Sequence, residues 1–140
     1  MKFTLGERLY ISRSRAAFRF VKNETEVIAL LEKYNFKVVY MEDYTLSQKV
    51  SMVYNAKHFV GIIGAAFSFL HFMQPKTNVF EFRMKNDGVN CIYFSLADAM
   101  DLNYYYQYGE TEIHHLPSYN FDLTMDLEEL KKNIELMLNN

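Results

Sequence analysis

The stretch that most constrains this chain is residues 58–73, HFVGIIGAAFSFLHFM. It opens as a short apolar run, 58–63, rich in β-branched residues and interrupted by Gly61. After Gly64 it thins to Ala65 and Ala66, then continues with apolar residues at helical spacing. This is the pattern of a buried strand turning sharply into a helix. Gly64 takes the side chain away at the turn, and the two alanines keep the first helical turn thin. The backbone amides at that helix start would be open to an anionic ligand.

The rest of the chain arranges itself around this turn as strand–helix units. Residues 8–12 read as a first strand, followed by the basic loop 13–22. Asn23 and Glu26 give a capping-box-like start to a helix that Asn35 ends in the left-handed conformation. Residues 36–40 are a second strand. Thr45 and Gln48 then cap a helix whose inner face is Leu46, Val50 and Val53. Pro75 lies just beyond the central helix, and 79–82 is a fourth strand carrying Glu81. Asn86, Asp87 and Gly88 form a turn. Ile92 and Phe94 suggest a short strand, with Ser95 capping a helix to Met100. Residues 103–108 are a tyrosine-rich fifth strand. Asp126 and Glu129 cap a last helix with Leu127, Leu130, Ile134, Met137 and Leu138 on one face.

Alternation of this kind predicts an α/β fold, a Rossmann-like open and mostly parallel sheet with helices on both faces. Ligands of such sheets bind beyond the carboxyl ends of the strands. Arg13, Glu42 and Gly64 each follow a predicted strand, so they are expected at one edge. The length of 140 residues suits one domain.

Composition narrows the function. The net charge is −2, which argues against a general nucleic-acid binder. The charge is uneven, however: Lys2, Arg8, Arg13, Arg15, Arg19 and Lys22 face Glu7 alone in the first part of the chain. Either a local anion site or a solvated basic face accounts for that. No apolar run spans a bilayer, the N-terminus does not read as a signal peptide, and Cys91 has no partner for an internal disulfide. A reducing, cytoplasmic setting is the expectation.

Several motifs are excluded. Gly61 and Gly64 do not make the dinucleotide fingerprint, and there is no Walker sequence. Ser68 is not in a nucleophile elbow. His114 and His115 are adjacent, so in a strand they point to opposite faces and make poor metal partners. No metal or other cofactor is expected. Glu81, amid Val79, Phe80 and Phe82, needs a partner or a rim position. It suits ribose hydroxyls, or equally an arginine. Arg13 and Arg19 carry planar forks suited to a diphosphate, or are exposed loop charges.

The ordered blocks Tyr10-Ile11-Ser12-Arg13, Arg19, Asn23-Glu24, Glu42, the run 60–66, Phe72-Met73 and Val79-Phe80-Glu81-Phe82 resemble the family 61 glycosyltransferases. That family includes capsular polysaccharide enzymes and eukaryotic xylosyl- and N-acetylglucosaminyltransferases. The resemblance implies the C-terminal, donor-holding half of a GT-B enzyme, whose facing domain would come from elsewhere in a longer chain or from a partner chain. It implies diphosphate contacts from Arg13, Arg19, Gly64, Ala65 and Ala66, and nucleoside contacts from Glu42 and Glu81. The substrates are then a nucleotide-sugar donor and a glycan acceptor, with the catalytic base outside this chain. Peripheral membrane association is compatible with that role. Two positions depart from the family's pattern: Ile63 stands where a histidine is usual, and Phe69 where an asparagine is usual. Those changes point to the alternative, an inactive α/β interaction module of the same family. A flavodoxin-like module is a third reading, which gives no reason for the arginine blocks.

Overall fold

The computed structural model describes residues 2–85, 91–111 and 122–140. Its centre is a five-stranded sheet in the order β2-β1-β3-β4-β5, parallel throughout. The strands are β1 (Arg8–Ile11), β2 (Lys37–Val39), β3 (His58–Ile62), β4 (Asn78–Met84) and β5 (Asn103–Gly109). The fold is therefore the open, Rossmann-like α/β arrangement that the alternating pattern predicts. The chain moves one way from β1 to β2 and the other way from β3 outward. The carboxyl ends of β1 and β3 consequently flank the switch point where such sheets hold ligands.

Two layers of helix seal the sheet. One face carries α1 (Glu24–Glu32) and α4 (Leu127–Leu138), which bury Val27, Leu31, Leu130, Ile134 and Met137 against Val60, Ile62, Phe80 and Phe82. The other carries α2 (Leu46–Tyr54), a 3-10 helix (Ala65–Phe72) and α3 (Ile92–Ala99). These cover Leu9, Ile11, Phe59 and Val79. Alternation along each strand sends successive side chains to opposite layers, and a parallel sheet covered on both faces needs apolar residues at both phases.

The caps mostly follow the sequence. Thr45 and Gln48 form a complete capping box on α2. Asp126 accepts from the Glu129 amide at the start of α4. Asn35 takes the left-handed backbone, with φ of 63°. Asn23 differs. It precedes α1 but makes no side-chain cap. Its amide instead donates to the Met125 carbonyl at 2.8 Å and accepts from the Met125 amide at 3.0 Å.

Three further expectations are corrected. The inner residues of α2 are Ser51, Met52 and Val53, while Leu46 is exposed. Met52 and Val53 pack onto the sheet with Leu9, Val39 and Phe59, and the N-terminal stretch covers Ser51, whose Oγ both donates to and accepts from the Phe3 backbone. Ile92 and Phe94 are not a strand. They are exposed positions of α3, whose inward residues are Tyr93 and Ala97, and Ser95 sits inside that helix rather than capping it. The helix after Gly64 winds as a 3-10 helix, tightened by local bonds such as Phe67 N–H to the Gly64 carbonyl and Ser68 Oγ to the Ala65 carbonyl. The predicted turn at Asn86, Asp87 and Gly88 lies outside the described residues, as do His114 and His115.

Candidate functional site

The site forms where β1 and β3 end. Ser12 closes β1 by donating its amide to the Val39 carbonyl, and Arg13 is the first residue free to turn over the sheet edge. Its guanidinium folds down onto Gly64. A Cβ added at Gly64 would stand 2.8 Å from Arg13 Nη1. Gly64 has an extended backbone that any residue can adopt, with φ of 173°. Glycine is required there for the close approach of the arginine and not for backbone freedom.

Arg19 completes the pair. Its backbone is left-handed, with φ of 60°, and its carbonyl accepts Arg13 Nε at 3.0 Å. Its own Nη1 donates to the Ile63 carbonyl at 3.2 Å. Each guanidinium is thus held by main-chain carbonyls next to the glycine bend. Burial first, and Arg19 second, lower the pKa of Arg13 from the ordinary arginine value, with Glu42 and Tyr93 opposing. Two like charges held this close to each other are stabilised by an anion between or above them.

The loop that carries Arg19 is fastened from afar. Residues 20–23 run beside residues 122–125. Phe20 N–H donates to Asp122 at 3.1 Å, Leu123 N–H to the Phe20 carbonyl at 3.0 Å and Lys22 N–H to the Leu123 carbonyl at 2.6 Å. The two Asn23–Met125 bonds extend the strap. This explains why Asn23 is not spent on capping α1.

Beside Arg13 opens a crevice of about 370 Å³. Ser12, Arg13, Glu42, Lys49, Ala66 and Phe69 are among its lining residues. Ala65 lines it too. Among the candidates read from sequence, the fold therefore gathers Arg13, Arg19, Glu42, Gly64, Ala65 and Ala66 at one sheet edge. A larger hollow, near Phe3, Leu46 and Ser47, lies along α2 away from the arginines.

Glu81 is placed differently. It is only 1% exposed and sits within β4, in register with Gly61 on one side and Tyr106 on the other. Tyr104 Oη donates to its Oε1 at 2.6 Å, and Arg83 Nε lies 3.6 Å from the same oxygen. The arginine pairing open in the sequence is thus realised, and burial then Glu81 hold the Tyr104 hydroxyl well above its usual pKa. Tyr93 of α3 feels both groups. Its pKa is raised by burial and by Glu81 and is drawn back by Arg19 and Arg13.

The basic cluster of the N-terminal region disperses. Arg8 donates to the Tyr34 carbonyl at 2.7 Å, at the opposite end of β1. Arg15 pairs with Asp43 at 2.6 Å and lies 4.1 Å above the Tyr40 ring. Only Arg13 and Arg19, of those charges, meet at the bend. Lys49 and Tyr93 join the site without a sequence signal read for them. Lys49 was detectable, since the Thr45 cap places it in the first turn of α2 next to the sheet edge. Tyr93 was hidden by the reading of 92–94 as a strand.

Ile63 is buried, with its amide donating to the Phe82 carbonyl at 3.0 Å, and Phe69 stands in the wall of the crevice. Among the described residues no cluster of metal-binding side chains occurs, and no helix is long and apolar enough to cross a membrane. A family model described as Glycosyltransferase 61 matches residues 2–80, which include every residue of the crevice. No curated protein matches the chain.

Proposed function

The chain belongs to glycosyltransferase family 61, and from that membership we propose that it binds the nucleotide-sugar donor of a glycosyl transfer to a glycan or polysaccharide acceptor. The observation that carries the proposal is the Arg13 guanidinium lying on Gly64, with Arg19 bonded to the adjoining Ile63 carbonyl. Charge grows on the diphosphate as the glycosidic bond breaks, and two fixed guanidinium groups offset it where it appears. Bidentate forks suit phosphate oxygens. Lys49 adds a third cation at the crevice wall, and Glu42, which also lines it, is the proposed acceptor for ribose hydroxyls. Glu81 supports the site from below, through Tyr93 and Tyr104, rather than touching the donor. A base for the acceptor hydroxyl is assigned to a facing domain or partner chain, in the GT-B manner, and the setting to the cytoplasm.

A second reading, an inactive module of the same family, is favoured by Phe69 in the crevice wall and by the buried Ile63. The strand order is also that of flavodoxin-like sheets, but the family match and the arginine pair favour a sugar nucleotide. Thermal unfolding with UDP, GDP, CDP and ADP separates these readings. A ligand at a hundred times its Kd adds roughly 2.7 kcal/mol. The proposal expects a shift with at least one nucleotide that disappears in Arg13→Ala. No shift with any of them establishes the inactive module instead.

A further inference from the structure

The outer strand β5 presents its tyrosines in a row. Tyr104, Tyr106 and Tyr108 share one face, two residues apart, and Phe94 of α3 extends the row at its lower end. Ring centroids follow one another at 5.4 Å (Phe94–Tyr104), 6.1 Å (Tyr104–Tyr106) and 5.4 Å (Tyr106–Tyr108). The row is not core. Phe94, Tyr106 and Tyr108 are 51%, 52% and 43% exposed.

The strand is nevertheless firmly set. Its opposite face is pinned: Tyr105 stacks on Phe80, and Gln107 donates to the Asp126 carbonyl and accepts from Asn133. The lower end of the row is anchored as well, through the bond from Tyr104 to Glu81. A strand held this way loses little backbone freedom on binding, which favours recognition. Contiguous exposed aromatic surface marks an interaction site.

The chemistry of the row selects its occupant. A phenol ring offers an apolar face with a polar edge. A pyranose offers the complement, a C–H face rimmed by hydroxyls. Successive ring centroids stand 5.4, 6.1 and 5.4 Å apart, the scale of one sugar ring to the next, and their planes turn by 81°, 30° and 69°, so the row offers a twisted surface rather than a flat one. A protein strand added to this edge is disfavoured at its upper end, where Glu110 already pairs with Thr124. Because β5 is parallel to β3, the row rises toward the same sheet edge that holds the arginines. We propose that Phe94, Tyr106 and Tyr108 form a binding track for a neutral, extended glycan, the acceptor chain of the transfer. This rests on the glycosyltransferase reading, but its site is separate from the diphosphate crevice.

The test is an NMR titration of the intact chain, without nucleotide, with xylohexaose, chitohexaose and cellohexaose. The proposal expects at least one probe to shift the Tyr106 and Tyr108 ring resonances. It expects the Tyr106→Ala/Tyr108→Ala double variant to bind that probe at least tenfold more weakly, with unchanged far-ultraviolet circular dichroism. Tyr54→Ala, an exposed tyrosine on α2, keeps full affinity. Binding by none of the probes, or equal binding by the double variant, overturns the track. So does concentration-dependent self-association that the double variant abolishes, which would assign the row to a second copy of the chain. The nucleotide melting shift is expected to be the same in the double variant. A chain that binds glycan but no nucleotide refutes the donor reading alone.

Discussion

The two faces of the sheet are built to different standards. The face under α1 and α4 is apolar at the middle of the sheet, with Val60, Ile62, Phe80 and Phe82 beneath Leu130, Ile134 and Met137, and its buried polar side chains, Asn78 and Gln107, are tied to the α4 segment by hydrogen bonds to the Met137 and Asp126 carbonyls. The face under α2, the 3-10 helix and α3 carries a carboxylate, a hydroxyl bonded to it and a bare glycine in one patch: Glu81, Tyr104 and Gly61. Phe67 settles onto Gly61, where an added Cβ would meet its ring at 3.4 Å. One face supplies stability, and the other keeps polar groups poised under the site. The difference teaches that substitutions on the two faces should separate folding from ligand binding.

The largest effect is expected on the sealed face. Ile134→Ala should cost about 2–5 kcal/mol in urea unfolding, while the folded fraction keeps its nucleotide affinity. Next comes the polar patch. Tyr104→Phe removes the donor to a buried carboxylate and should cost about 1–3 kcal/mol by the same measurement. Asp126→Ala, which removes the cap of α4, should cost about 1 kcal/mol and leave binding untouched.

A separate acid effect is expected at the lower rim of the sealed face. Burial first, then Arg8, lower the pKa of His58 from 6.5 to about 4. Over that window the unfolded chain takes a proton that the folded chain refuses. Stability is therefore expected to fall as pH drops from the ordinary histidine value toward 4, and this contribution levels off below it. Denaturant midpoints across that range should decline less steeply in His58→Gln. Least in stability, and greatest in binding, is Gly64→Ala. Its Cβ displaces the end of a flexible arginine, so melting should change by less than about 1 kcal/mol. The nucleotide shift should be lost. Equal loss of stability and binding would break the contrast between the faces.

Much of this was legible in residue order. Alternation of apolar strands with capped helices gave the parallel sheet, and strand ends located Arg13, Glu42 and Gly64 at one edge. Local signals failed where distant contacts took over. Asn23 reads as a cap, but its side chain is claimed by Met125, far along the chain. On α2 the buried set Ser51, Met52 and Val53 includes a serine whose partner, Phe3, lies far back in the chain, which no periodicity within the helix records. Residues 92–94 alternate like a strand because Ile92 and Phe94 are exposed apolar residues on a helix. Glu81 was ambiguous in principle, since a buried carboxylate says that a partner exists and not which one.

The central claim is that a diphosphate is held over the Arg13 guanidinium and the Gly64 bend on which that guanidinium rests. The most direct test is a titration of labelled protein with UDP, GDP and CDP, following arginine Nε and backbone amide resonances by NMR. The account expects one nucleotide to move the Arg13 and Arg19 Nε signals together with the Gly64, Ala65 and Ala66 amides. Resonances that stay fixed there with every nucleotide, or that move only along the α2 hollow near Phe3 and Leu46, would contradict it.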